Sequence, residues 1–131
     1  MMFPASDPSC LFCARSQHKT LCESERFAAI FDNFPVNPGH TLVVPKRHEP
    51  NYFDLSFEEM EEAWTLVARA QRLITAEFGP DGYNIGINER EAAGRTVPHA
   101  HIHLIPRHFG DTDEPRGGIR RGLPGGVPDR W

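Results

Sequence analysis

Two hydrophobic periods place most of this chain's elements. Through residues 56–78, Met60, Ala63, Trp64, Val67, Ala70, Ile74 and Phe78 recur at spacings of three and four, the apolar stripe of a helix that packs on a sheet. Ser56 and Glu59 have the spacing of a capping box, in which hydroxyl and carboxylate each satisfy an orphan N–H. Gly79-Pro80 supplies the stop. FAAIF (27–31) and HTLVV (40–44) read as strands, joined across the turn residues Asn37-Pro38-Gly39, and Pro45 ends the second. YNIGIN (83–88) reads as a third strand. Residues 97–105 alternate apolar and polar and read as a fourth. Residues 1–20 read as irregular, 89–95 as a polar loop, and 109–131, rich in Gly and Pro, as a coil tail. The order β-β-α-β-β with short connections predicts an α+β fold, an antiparallel sheet packed with one main helix, in a single domain over 1–131.

Composition narrows the class. A chain of 131 residues with nine phenylalanines can bury one core unaided. No apolar run approaches the ~20 residues of a membrane span. The start, MMFPASDPSC, lacks the basic and then apolar regions of a secretory leader, so the expected compartment is the cytoplasm. Three cysteines there read as thiols or metal ligands, not as a disulfide framework. A net charge of −4 weighs against nucleic-acid binding. Part of the acid is one block, Glu58, Glu59, Glu61 and Glu62, which suits a solvated helix start where the macrodipole favours anions. Lys46, Arg47, Arg90, Arg95 and Arg107 lie elsewhere, which leaves room for a small anionic ligand.

The candidate chemistry lies in VPHAHIHLIPRH, from Val97 to His108. In a strand, His99, His101 and His103 share one face, and Ala100, Ile102 and Leu104 share the other. Three imidazoles are costly core filling unless each ring finds a partner. All three could hold one catalytic metal, though neighbours on one flat strand converge poorly on an ion. Alternatively the middle ring attacks while its neighbours and loop N–H groups bind the anion that develops.

The run His99-Ala-His101-Ile-His103-Leu-Ile resembles the signature of the histidine triad (HIT) family of nucleotide hydrolases and transferases, His-φ-His-φ-His-φ-φ with φ apolar. Pro38-Gly39-His40-Thr-Leu-Val-Val-Pro45-Lys-Arg-His48 and Ala93-Gly94-Arg95-Thr96-Val97-Pro98 resemble its upstream block and phosphate loop. Leu104-Ile105-Pro106-Arg107 and the tail from Asp113 resemble a bacterial branch near the diadenosine polyphosphate hydrolases. The resemblance implies a HIT-like fold and a homodimer acting on a purine nucleotide. His101 would attack the α-phosphorus and form a nucleotidyl-histidine. The His99 carbonyl would orient His101, His103 would touch the phosphate or bridging oxygen, and His40 would partner the triad. Asn88, Gly94 and Thr96 would bind phosphate, Asp32 the ribose, and Leu11, Phe12 and Ile30 the base. Arg95 stands where that branch commonly has Gln, and would grip a polyphosphate or face solvent.

Cys10-x-x-Cys13 is weak evidence by itself. By the same resemblance the pair would hold a structural zinc with His48 and His99, with no organic cofactor. Cys22 reads as a packed thiol, and His18 and His108 as surface residues. Two other readings stay open. One is a nucleotide-binding or interaction module with vestigial catalysis. The other is a metal-dependent hydrolase that uses the strand histidines.

Overall fold

The computed structural model describes residues 6–126. The first five residues, on which part of the leader reading falls, and the last five of the tail lie outside them. Five strands form one sheet: β1 (Thr20–Glu23), β2 (Phe27–Phe31), β3 (Thr41–Pro45), β4 (Gly82–Gly86) and β5 (Ile102–Arg107). Their order is β1-β2-β3-β5-β4, with every neighbouring pair antiparallel. One long helix, α1 (Phe57–Phe78), covers one face. No helix among the described residues is long and apolar enough to cross a membrane.

The helix begins and ends on the residues that the pattern picks out. Ser56 Oγ accepts the Glu59 N–H and the Glu59 carboxylate accepts the Ser56 N–H, a complete capping box. Gly79 stops the helix in the left-handed conformation. Ala63, Val67, Ala70 and Ile74 are buried against Phe27, Ala29, Val43, Ile102 and Leu104 of the sheet. Truncating such a side chain, as in Ile74→Ala, costs about 2–5 kcal/mol. The acidic block is less solvated than its composition suggests. Glu59 is buried, paired with Arg47 at 3.0 Å, and Glu62 bonds Ser24 and Arg26.

Several features differ from the pattern, among them β4, which runs Gly82–Gly86 and not to Asn88. Residues 20–23 are a strand, where only Thr20 falls in the segment read as irregular and 21–23 carry no assignment from the pattern. They pair only with β2 and carry a bulge, and Cys22 is buried in the helix-side core. The fourth expected strand is regular only from Ile102, because the Ala100 N–H bonds the Glu49 carbonyl at 2.7 Å and the His99 N–H folds back onto Val97. At its other end β5 runs on through Pro106 to Arg107. Pairing with β3 stops at Leu104, so the missing N–H of Pro106 breaks no bond to that strand.

The second face of the sheet carries its own small core of Cys10, Phe12, Ala28, Ile30, Leu42 and Val44. Gly39 enters β3 at φ +90°, and a Cβ there would stand 3.0 Å from Phe78 and 3.2 Å from Pro106. Conformation and space both demand glycine at the point that delivers His40 to this face.

Candidate active site

A cavity of about 500 Å³ opens on that second face. Leu11, Phe12 and Leu42 give it an apolar end beside Asp32. Asn88, Gly94, Arg95 and Thr96 form another side, and His101 and His103 line it as well. Ile30 is fully buried in the small core and does not line the cavity. Leu42, its partner in the β2–β3 register and equally buried, lines the cavity instead. His18, expected at the surface, lines the cavity edge-on to Phe12, and its Nε2 lies 3.0 Å from the Leu11 carbonyl. His108 is half-buried.

Hydrogen bonds fix the ring tautomers. The His99 carbonyl, 2.7 Å away, accepts the Nδ1–H of His101, which leaves Nε2 of His101 as a lone pair. The Val36 N–H donates to His40 Nδ1 at 3.2 Å, so the His40 proton sits on Nε2 and is donated to His103 Nδ1 at 3.0 Å. Nε2 of His103 is then an N–H donor. Burial lowers the pKa of His101, and it takes His103 down to about 4 with help from its histidine neighbours. All three rings are therefore neutral near pH 7, since burial lowers His40 too. Asp32 spends Oδ1 on the Phe34 N–H, while Oδ2 stands 3.6 Å from His40. It caps the turn and also faces the cavity.

The third triad histidine turns elsewhere. His99 Nε2–H donates to the Pro45 carbonyl at 2.8 Å, so the lone pair is on Nδ1. That atom lies 3.3 Å from Cys10 Sγ and 3.6 Å from Cys13 Sγ, and His48 Nδ1 is 3.3 Å from Cys13 Sγ. Ligands on a tetrahedral zinc with bonds of about 2.0–2.3 Å stand about 3.3–3.8 Å apart. The four donors fit that geometry and lie in one cluster. A second cluster, Asp32, His40 and His103, is also compact. Its His40 Nε2 carries the proton that the Val36 bond displaces from Nδ1, so a metal there would have to displace that proton. No metal-sized cluster among the described residues joins all three strand histidines, which removes the support for the three-histidine metal reading.

Arg95 takes a position between the two expected. Its side chain is 7% exposed and turned onto the Pro50 carbonyl, Asn51 Oδ1 (3.0 Å) and Glu91 (3.1 Å). The Glu89 carboxylate accepts the N–H groups of Tyr52 and Phe53. Together they brace the loop before the triad against residues 50–53. Within that loop Arg90 holds φ +69° and ψ 169°, a strained conformation for any residue but glycine.

These geometries belong to a known class. The family model described as the HIT domain matches residues 14–110, and the chain belongs to the HIT family. A Schizosaccharomyces pombe protein named bis(5'-nucleosyl)-tetraphosphatase (asymmetrical) is 41% identical over 90 residues, covering 68% of this chain and 50% of that protein. A Dictyostelium discoideum bis(5'-adenosyl)-triphosphatase is 38% identical over 91 residues, covering 70% and 61%. The chain thus spans half to three fifths of these two relatives. A zinc-bound histidine triad family protein from Mycobacterium smegmatis superposes with a TM-score of 0.73 at 36% identity, covering 81% of this chain and 80% of that one.

Proposed function

We propose that this chain is a nucleotide hydrolase or nucleotidyl transferase that attacks the α-phosphorus of a purine nucleotide through His101. The observation that carries the reading is the 2.7 Å bond from His101 Nδ1–H to the His99 carbonyl, which leaves a neutral, oriented Nε2 lone pair in the cavity. The base lies against Leu11 and Phe12, and the ribose hydroxyls meet the free oxygen of Asp32. Asn88, Thr96 and the Gly94 backbone receive the phosphate. Arg95 acts through the loop it braces and through its charge beside the cavity.

In the first step the lone pair of His101 Nε2 forms a P–N bond, and the bond from phosphorus to the leaving oxygen breaks with its electron pair. The Nε2–H of His103 hydrogen-bonds that oxygen as it gains charge. His103 is neutral and keeps its proton, so this arrangement suits a group that departs as an anion. Water then attacks phosphorus, the P–N pair returns to His101, and one proton goes to solvent. The products are a nucleoside monophosphate and the leaving anion. Another acceptor in place of water gives transfer.

Cys10, Cys13, His48 and His99 would hold zinc. Bound there, it would tie the N-terminal segment to the triad strand without contributing a reacting atom. The zinc-bound neighbour and the ligand spacings support this. The working unit of the proposal is a cytoplasmic homodimer that needs no organic cofactor, membrane or nucleic acid.

The test is to quench turnover of a nucleotide substrate within milliseconds and map the adduct by mass spectrometry. A nucleotidyl group on His101 is expected. An adduct on any other residue, or wild-type turnover by His101→Ala, would sink the reading.

A further inference from the structure

Cys10, Leu11, Phe12 and Cys13 form a single turn, in which the Ala14 N–H reaches the Cys10 carbonyl at 3.3 Å. Its ends and its middle serve different sites. The thiols of Cys10 and Cys13 meet His99 Nδ1 at 3.3 and 3.6 Å, and the two sulfurs lie within 4.8 Å of one another. Leu11 and Phe12 line the cavity of about 500 Å³. Phe12 stands edge-on to His101 there, with ring centroids 4.9 Å apart. Both thiols are free, Cys10 buried and Cys13 half-buried, so a small solute meets Cys13 first. Cys22 belongs to the core on the helix side of the sheet, away from this pair.

Two thiolates on one tetrahedral zinc stand about 3.8 Å apart, while the sulfurs of a disulfide stand about 2.05 Å apart. Joining Cys10 to Cys13 therefore shortens the span of the turn, and only Leu11 and Phe12 lie between to absorb the change. Phe12 packs with Ala28, Ile30, Leu42 and Val44. A close-packed cluster has no room to take up such a shift without moving the side chains that face the cavity. The same bond removes two of the four donors from the metal centre. His48 and His99 alone do not make a closed zinc site.

We propose that Cys10 and Cys13 are an oxidation site for hydrogen peroxide, and that their disulfide closes the nucleotide cavity by displacing Leu11 and Phe12. This rests on the placement of the nucleoside against those two residues. The Cys13 thiolate attacks one peroxide oxygen, so that an S–O bond forms, the O–O bond breaks and hydroxide leaves. The Cys10 thiolate then attacks the Cys13 sulfur, so that the S–S bond forms, the S–O bond breaks and a second hydroxide leaves. Two sulfurs are oxidised by one electron each and the peroxide is reduced by two. Two protons from solvent turn the hydroxides into water. Reduction by a dithiol, with zinc resupplied, restores the open site.

The experiment uses the full chain, reduced and zinc-loaded, treated with hydrogen peroxide. Mass spectrometry, a chromogenic zinc chelator and calorimetry with AMP read the outcome. The peptide that carries Cys10 and Cys13 should become two hydrogens lighter and resist alkylation, with zinc released in step. AMP affinity should fall about tenfold or more, the scale of one lost base–aromatic contact. Dithiothreitol and zinc should restore it. Cys22→Ala should respond as the wild type does. Zinc removal from the reduced chain should weaken AMP binding less than the disulfide does. A bond to Cys22, oxidation that stops at a sulfinic acid, AMP affinity unchanged by the disulfide, or an equal loss on zinc removal alone overturns the proposal. A reversible Cys10–Cys13 disulfide in a chain that binds no AMP even when reduced would uphold the oxidation site and overturn the nucleoside reading.

Discussion

The backbone carbonyl of His99 holds the Nδ1–H of His101 at 2.7 Å, while the side chain of His99 points its own Nδ1 at the thiols of Cys10 and Cys13. One residue therefore belongs to two sites, the proposed metal centre by its ring and the proposed nucleophile by its backbone.

A first prediction follows from that double membership. One zinc per chain should copurify with the protein, and Cys13→Ser should lower its content and the Tm, since a closed site contributes to folding. The loss in kcat at a temperature well below the mutant Tm should stay within about tenfold, because no reacting atom is removed. Full zinc stoichiometry in the Cys10→Ser, Cys13→Ser double mutant would count against these ligands.

The relay from Val36 through His40 to His103 gives a second. Replacing His40 with Phe removes the donor that holds the His103 tautomer and leaves His103 Nδ1 unpaired. A lost buried hydrogen bond costs about 1–3 kcal/mol, so kcat should fall about tenfold or more with KM nearly unchanged. Steady-state kinetics decide it. A rise in KM at constant kcat would mean that His40 serves binding instead.

His103 also sets a pH dependence of stability. Burial and its histidine neighbours lower its pKa from 6.5 to about 4 in the folded chain. Between those values the unfolded chain binds a proton that the folded chain refuses, so stability falls as pH drops from about 6.5 to 4. Urea midpoints across that window should decrease toward acid, and His103→Gln should flatten the slope. An unchanged slope in the mutant would assign the effect to other groups.

Arg95→Gln should act on the loop more than on substrate choice. Removing the guanidinium frees the Pro50 carbonyl and Asn51. Hydrogen bonds to a charged group are worth roughly 1.5–3 kcal/mol each where buried. We expect a lower Tm and a similar fractional loss of kcat/KM for a dinucleoside polyphosphate and a nucleoside phosphoramidate. A loss confined to the polyphosphate would show that Arg95 reaches the distal phosphates after all.

Much of this was legible in the sequence because it is local. Phe27–Phe31 is β2 as read, and the Ser56–Glu59 spacing became a complete capping box. The histidine alternation held for His101 and His103, which face the cavity while Ile102 and Leu104 face the helix. What was not legible depends on partners far along the chain. The four residues of β1 become a strand only against β2. His99 leaves the row because the Pro45 carbonyl takes its Nε2–H; its nearness to Cys10 and Cys13 was implied by the family resemblance and not by the strand period. Ile30 lies beside Leu42 in the same small core, yet only Leu42 lines the cavity, a difference no sequence period records. The Val36 N–H and Pro45 carbonyl that set two tautomers are backbone groups, invisible to a reading of side-chain types. His18 carries no local signal either, since its role comes from the fold of the preceding turn onto Phe12.

The two faces of the sheet are insulated from one another. Phe27, Ala29, Val43, Ile102 and Leu104 hold the helix on one side, while Ala28, Ile30, Leu42 and Val44 underlie the cavity on the other. Neighbours along each strand thus answer to different selective demands. A change of side-chain shape beneath the cavity therefore strains the small core of that face first, and reaches the helix only through the strands themselves.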